Sequence, residues 1–324
     1  MRLGALELRP PLFLAPMAGI THSAFRRLVG GYGGVGLFST EMLSARSLPV
    51  EDPATSPFLV RTAEESPLSF QLLVASPEEI APALDVVHRL GADAVDLNFG
   101  CPAPQARRRG GGSRLMEAPE RARALVAEAR RRTALPLTAK IRLGERLDEG
   151  ALSAFCRMLE GEGVELLTVH ARLRKEPYGR RARWEWVGKV KRWVSIPVVG
   201  NGGVFSAADA RRCLEVSGCD GLMVGRGAAV RPWVFAEIAR EVYGVPVPAA
   251  RPTPAQAFRT VADLLDESLP PERRLGRLKE LTHYLAQNYP FGHHLAAAVQ
   301  SSPSVAVARE RAEAFFADHE APPA

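Results

Sequence analysis

The chain has 324 residues, 46% hydrophobic and 24% charged, with a formal net charge of +6. Such a composition buries a sizeable core and excludes a disordered, collagen-like or disulfide-stapled chain. No apolar run reaches the roughly 18 residues of a membrane span, and residues 1–9 are too short and mixed for a signal segment, so a cytoplasmic protein without membrane contact is expected. Nearly all the positive charge is Arg. Lys occurs only at 140, 175, 189, 191 and 279, Asn only at 98, 201 and 288, and Gln only at 71, 105, 256, 287 and 300. Where one of these scarce residues stands in an apolar strand, a specific requirement is implied. The cysteines, Cys101, Cys156, Cys213 and Cys219, form no C-x-x-C pair and no His sits at ligand spacing, so reduced thiols and no metal are expected.

In chain order, apolar β runs fall at 12–16, 36–40, 68–74, 94–98, 135–141, 166–170, 196–200 and 221–225. Helical patterns lie between them at 76–90, 118–132, 150–163 and 207–217, with Ser76, Pro77 and Glu79 as a start signal and Ser206 as another cap. Eight runs mostly linked by helices predict a (β/α)₈ TIM barrel, with a doubly wound sheet as the alternative. Against the alternative, the turn at Pro16-Met17-Ala18-Gly19 lacks a G-x-G-x-x-G loop. Residues 243–256, rich in Gly, Pro and Ala, read as a linker. Helical periodicity at 257–269, 273–288 and 305–319, with a shorter segment at 291–300, predicts a small helical domain at 257–324 behind a barrel domain at 1–242.

In such a barrel the functional residues stand at the strand ends. Read in order, these are Pro16-Met17-Ala18, Glu41-Met42, Gln71, Asn98 with Cys101, Lys140 with Arg142, His170, Asn201-Gly202-Gly203 and Gly225-Arg226-Gly227. Two of the three Asn fall in this set. The glycine turns after the seventh and eighth strands suit a phosphate, with Arg226 adding a charge-assisted bond. Lys140 and Arg142 share one strand face, and two cations there call for an anion; an ammonium at Lys140 suits a reduced flavin. Cys101, extended by the following Pro102, reads as a nucleophile, a general acid or a small buried hydrophobe. His170 pairs with a phosphate or flavin oxygen, or caps its strand. The run Arg107-Arg108-Arg109-Gly110-Gly111-Gly112 reads as a flexible lid or a solvated loop.

The motifs Ala15-Pro16-Met17-Ala18-Gly19, Thr40-Glu41-Met42, Asn98-Phe99-Gly100-Cys101-Pro102, Lys140-Ile141-Arg142, Val169-His170-Ala171-Arg172, Asn201-Gly202-Gly203 and Val224-Gly225-Arg226-Gly227 appear in an order that resembles the tRNA-dihydrouridine synthases, and Arg231-Pro232-Trp233 resembles their bacterial B-type branch. The resemblance implies an FMN-containing barrel that uses NADPH to reduce a uracil C5=C6 bond in tRNA, in a monomer. It implies FMN contacts from Pro16, Met17, Ala18, Gln71, Lys140, His170, Asn201, Gly202, Gly203, Gly225 and Arg226, with Cys101 as proton donor and Asn98 and Arg142 on the uracil. It also implies RNA-backbone contacts from Arg273, Arg274, Arg277 and Lys279. Two departures stand out: Ala171-Arg172-Leu173 where the family has Gly-Arg-Thr, and Arg114 where a small residue is usual.

Overall fold

A computed structural model describes residues 1–52, 56–177, 179–248 and 252–319. A hairpin of β1 (Arg2–Leu3) and β2 (Leu6–Glu7) precedes eight parallel strands: β3 (Leu12–Leu14), β4 (Phe38–Ser44), β5 (Leu68–Leu73), β6 (Ala94–Asn98), β7 (Leu137–Arg142), β8 (Leu166–His170), β9 (Val198–Asn201) and β10 (Gly221–Val224). Each predicted run overlaps one of them, with β4, β7 and β9 extending past the predicted ends. The sheet order follows the chain from β4 to β10 and returns to β3, which bridges back to β4 through Phe13 and Leu37. That return closes the sheet into a barrel; a doubly wound sheet would reverse its strand order at a switch point. Parallel strands covered on both faces read as continuous apolar runs, which is why the sequence disclosed them.

The hairpin was not foreseen, because two-residue strands carry no periodicity. Leu3 and Leu8 pack with Phe13, Leu37, Leu166, Val199 and Met223 in one buried cluster, so the hairpin plugs one end of the barrel.

The barrel helices are α1 (Ser23–Tyr32), α2 (Ile80–Arg89), α3 (Pro104–Arg108), α4 (Pro119–Arg132), α5 (Glu149–Gly161), α6 (Trp184–Trp193), α7 (Ala207–Ser217), α8 (Arg226–Val230) and α9 (Val234–Tyr243). Ser206 caps α7 by accepting from Asp209 N–H at 3.1 Å, as expected. Ser76 does not cap: Pro77–Glu79 form a 3₁₀ turn, α2 starts at Ile80, and the Glu79 carboxylate takes the Ala75 N–H at 2.8 Å instead. α6 lacks a capping side chain and follows a basic loop, so its start was invisible in sequence.

Four helices follow: α10 (Pro254–Ser268), α11 (Pro271–Leu285), α12 (Gly292–Gln300) and α13 (Val305–His319). α10 begins inside the expected linker, because Thr253 and Gln256 form a reciprocal capping box and Pro254 occupies the first turn; residues 249–251 of that linker lie outside the described residues. α10 packs on α1 and α11 on α8. The docking is sealed by the Arg27–Glu267 ion pair at 2.8 Å and by Asn288 Nδ2 donating to Val230 O at 2.7 Å. Phe258, Val261, Leu265, Leu281 and Phe316 belong to the same buried cluster as the barrel's outer face.

Candidate active site

Strand register brings the polar residues onto neighbouring rungs. Gln71 pairs with Asp96, Asn98 with Lys140, Arg142 with His170, and His170 with Asn201. With a two-residue side-chain period, Asp96 with Asn98 and Thr138 with Lys140 and Arg142 fall on one face of their strands. The result is a cavity of about 380 Å³ at the C-terminal strand ends, lined by Pro16, Met17, Ala18, Gln71, Asn98, Cys101, Lys140, Arg142, His170, Asn201, Gly202, Gly203, Gly225 and Arg226. Of the seventeen residues read from the strand ends, sixteen line this cavity, Met42 and Gly227 among them; Glu41 does not. Glu280 and Tyr284 of α11 complete the wall.

A hydrogen-bond chain fixes its floor. Asp96 accepts from Gln71 Nε2 at 2.7 Å and from Thr138 Oγ1 at 2.6 Å, and burial raises its carboxyl above the usual range against those bonds. Gln71 Oε1 accepts from Asn98 Nδ2 at 2.8 Å. Asn98 Oδ1 in turn receives the N–H groups of Gly100 at 3.1 Å and Cys101 at 2.8 Å, so the scarce Asn sets the backbone that carries the thiol. Lys140 Nζ donates to Asn201 Oδ1 at 2.9 Å, and Asn201 Nδ2 donates to Met223 O at 2.8 Å.

Positive charge concentrates above this floor. Burial and then the Arg142 charge pull the Lys140 ammonium down to about 8. His170 is pushed well below its ordinary value by burial and by Lys140, Arg142, Arg172 and Arg226 together, so its imidazole is neutral at pH 7. Four cations around one neutral ring make a site that favours an anion.

The loops are built for close approach. Gly202 and Gly203 have φ of +103° and +79°, and a Cβ on Gly202 would stand 2.8 Å from His170 Cδ2. The Gly110–Gly112 segment is a strap, not a lid: Ser113 N–H donates to Cys101 O at 3.0 Å, and a Cβ on Gly112 would lie 2.7 Å from that same oxygen. Of the basic run, Arg108 and Arg109 are exposed to solvent, whereas Arg107 is engaged by the protein. Pro104 starts the short α3, and Arg107 bonds Ser113 Oγ at 3.1 Å and pairs with Glu117 at 2.6 Å, so its charge is spent within the protein. Arg114 also pairs with Glu117, which accounts for the larger residue there.

The dihydrouridine synthase (Dus) family profile matches residues 13–320. The chain belongs to the dihydrouridine synthase family. It is 38% identical to the "Probable tRNA-dihydrouridine synthase" of Mycobacterium tuberculosis over 76% of this chain and 67% of that protein. It is 36% identical to the "tRNA-dihydrouridine(16) synthase" of Aquipseudomonas alcaligenes over 86% of this chain and 90% of that one. Among solved structures, morphinone reductase in complex with tetrahydroNAD has a TM-score of 0.53 at 13% identity, covering 81% of this chain and 92% of its own. 2-Naphthoyl-CoA reductase has a TM-score of 0.58 at 11% identity, over 76% of this chain and 52% of that one. These two show the barrel fold alone.

For this dihydrouridine synthase, sequence reasoning missed the site's internal supports. Asp96 and Thr138 sit below the strand ends, where only register reveals them. Glu280 and Tyr284 come from a helix about 180 residues after Cys101, and no local signal ties them to the rim. Two cations expected to face RNA are engaged elsewhere: Arg274 bonds Leu269 O at 2.7 Å and Asp266 at 3.2 Å, while Arg277 turns to Glu41 and Glu280. Arg172 is buried and donates to the carbonyls of Pro177 and Arg180, ordering the loop before α6. No group of metal-holding side chains occurs among the described residues, and no helix there is long and apolar enough to cross a membrane.

Proposed function

We propose that this chain reduces the C5=C6 bond of a uridine in tRNA with FMN as resident cofactor and NADPH as reductant. The observation that carries the reading is the meeting of the Cys101 thiol, the Lys140 ammonium and a cation-ringed glycine cradle in one cavity. The residues present fit FMN. Gly202 and Gly203 leave space that a Cβ would fill, Gly225 and Arg226 flank it, and an ammonium pulled down to about 8 regains its proton affinity when an anion arrives. Pro16, Met17, Ala18, Gln71, His170 and Asn201 would complete the contacts. Bound there, FMN would supply the hydride chemistry that reduces the uracil C5=C6 bond, with NADPH as the source of the electrons.

The protein's own part is positional and acid–base. Lys140, held on Asn201, would help hold the flavin and stabilise negative charge on its reduced ring. The Cys101 thiol delivers the proton to C5, and Asn98 holds that thiol's loop through two N–H bonds. Arg142, whose guanidinium also donates to Leu173 O at 3.1 Å, would hold a uracil carbonyl. A base within folded tRNA must swing out to reach this cavity, which leaves RNA contacts to a helical domain at 257–324 joined through 243–256 to the barrel domain at 1–242. A monomer in the cytoplasm completes the reading.

The test is mass-spectrometric mapping of dihydrouridine in tRNA from a strain lacking the gene, with complementation by wild type and by Cys101→Ala. Restored dihydrouridine with wild type alone supports the reading. A purified protein that is colourless and has no FMN affinity would end it.

A further inference from the structure

Glu41 stands within β4, at the register shift between Ser39 and Met42, with its side chain only 5% exposed. Its Oε2 accepts from Gly19 N–H at 2.6 Å, and its Oε1 lies 3.8 Å from the Arg277 guanidinium of α11. One turn on, Glu280 is 3.5 Å from the same guanidinium. A Cβ on Gly19 would lie 2.7 Å from both Arg277 Nη1 and Glu280 Oε2, so this pair rests directly on the Gly19 backbone. Beside it, His22 caps α1 and is held neutral, at about 3, by burial and by the charges of Arg277 and Arg26. Gly19 follows the cavity-lining Pro16-Met17-Ala18, and Glu280 and Tyr284, spaced one turn apart, line the same cavity. A single run of contacts therefore joins a barrel strand, the first rim loop and the helix that contributes Glu280 and Tyr284 to the cavity.

We propose that Glu41, Arg277 and Glu280 act as positioning residues that fix α11 over the rim, making Tyr284 and Glu280 the wall against which the everted nucleotide is held. This rests on the tRNA-reduction reading above. The inner arm of the bridge does most of the fixing. A carboxylate as enclosed as Glu41 is costly without its cation, whereas Glu280, 40% exposed, is screened by solvent. Small errors of placement are expensive in such a site, a 1 Å shift costing on the order of 10²-fold in rate.

The experiment compares Arg277→Gln, Glu41→Gln and the double variant as holoenzymes, measuring kcat and KM with unmodified tRNA, FMN content, and the salt dependence of tRNA binding. Gln at 41 keeps an oxygen for the Gly19 N–H while removing the charge. Each single variant is expected to lower kcat about 10- to 100-fold. The double variant should fall no further than the worse single one, with FMN content and salt slope unchanged. Direct phosphate binding by Arg277 would instead reduce the salt slope by about one charge and leave Glu41→Gln at wild-type rate, overturning the proposal. Additive losses would overturn it as well. Should the charge variants fold poorly, Tyr284→Ala decides: a lowered kcat at full FMN content supports the wall, and an unchanged kcat contradicts it. Failure of the underlying reading is separately visible, as wild-type enzyme that forms no dihydrouridine, and takes the bridge's role with it.

Discussion

The barrel rim and the C-terminal helices handle charge in opposite ways. At the rim, Lys140, Arg142, Arg172 and Arg226 converge on His170 and, after burial, hold it below its ordinary value. In the helices, cations meet carboxylates of the same region: Arg259 with Glu313 at 2.6 Å, Arg309 with Asp263 at 2.6 Å and Asp266 at 2.8 Å, and Arg274 with Asp266 at 3.2 Å. Like charges crowded together mark a place built for an anionic ligand; charges answered locally mark a surface built to hold itself together. The net charge of +6 is therefore a poor guide to where RNA lies.

That contrast can be broken at the rim first. Cys101→Ala is expected to cut dihydrouridine formation by about 10²–10⁴-fold, the usual range for a lost general acid, while the purified protein stays yellow. Loss of the flavin instead would make Cys101 part of the cradle. Next in size, Lys140→Met should weaken FMN binding by about 10- to 100-fold, the worth of a charged hydrogen bond, as read by fluorescence titration.

The pH dependence of that affinity sharpens the point. Lys140 in the ligand-free protein is lowered to about 8, and an anion binds its protonated form. Affinity is then full below pH 8 and falls as pH rises through it, by up to tenfold per unit, until the raised value of the bound state is reached. Lys140→Met should flatten this slope, and a slope that survives would assign the titration elsewhere.

Gly202→Ala combines a φ of +103° with a Cβ 2.8 Å from His170, and about 1–3 kcal/mol of strain is expected, seen as a lower melting temperature and reduced flavin content. The smallest effect belongs to the helices. Thr253→Ala removes the cap of α10 and should cost about 1 kcal/mol in chemical denaturation with kcat unaltered.

The same contrast explains what the sequence disclosed. Barrel strands were legible because burial on both faces demands apolar runs, and the site was legible because Asn98, Asn201, Gln71 and Lys140 are scarce residues standing at strand ends. Where tertiary contact decides, the reading ran out. Arg107 looked like a loop cation until Glu117 and Ser113 claimed it, and Ser76 looked like a cap until Glu79 took over the neighbouring N–H. α11 presents Leu278, Leu281 and Leu285 to the core at helical spacing, which announces a buried face but not that Glu280 and Tyr284 reach the barrel's mouth.

The central claim is that the thiol at position 101 serves the step on the nucleobase and not the step that loads the flavin. Stopped-flow absorbance separates the two, following NADPH-driven reduction and then reoxidation by unmodified tRNA in wild type and Cys101→Ala. The account predicts equal reduction rates and a reoxidation by tRNA slowed at least about 100-fold in the variant. Reoxidation at the wild-type rate, or a reduction step slowed just as much, would contradict it.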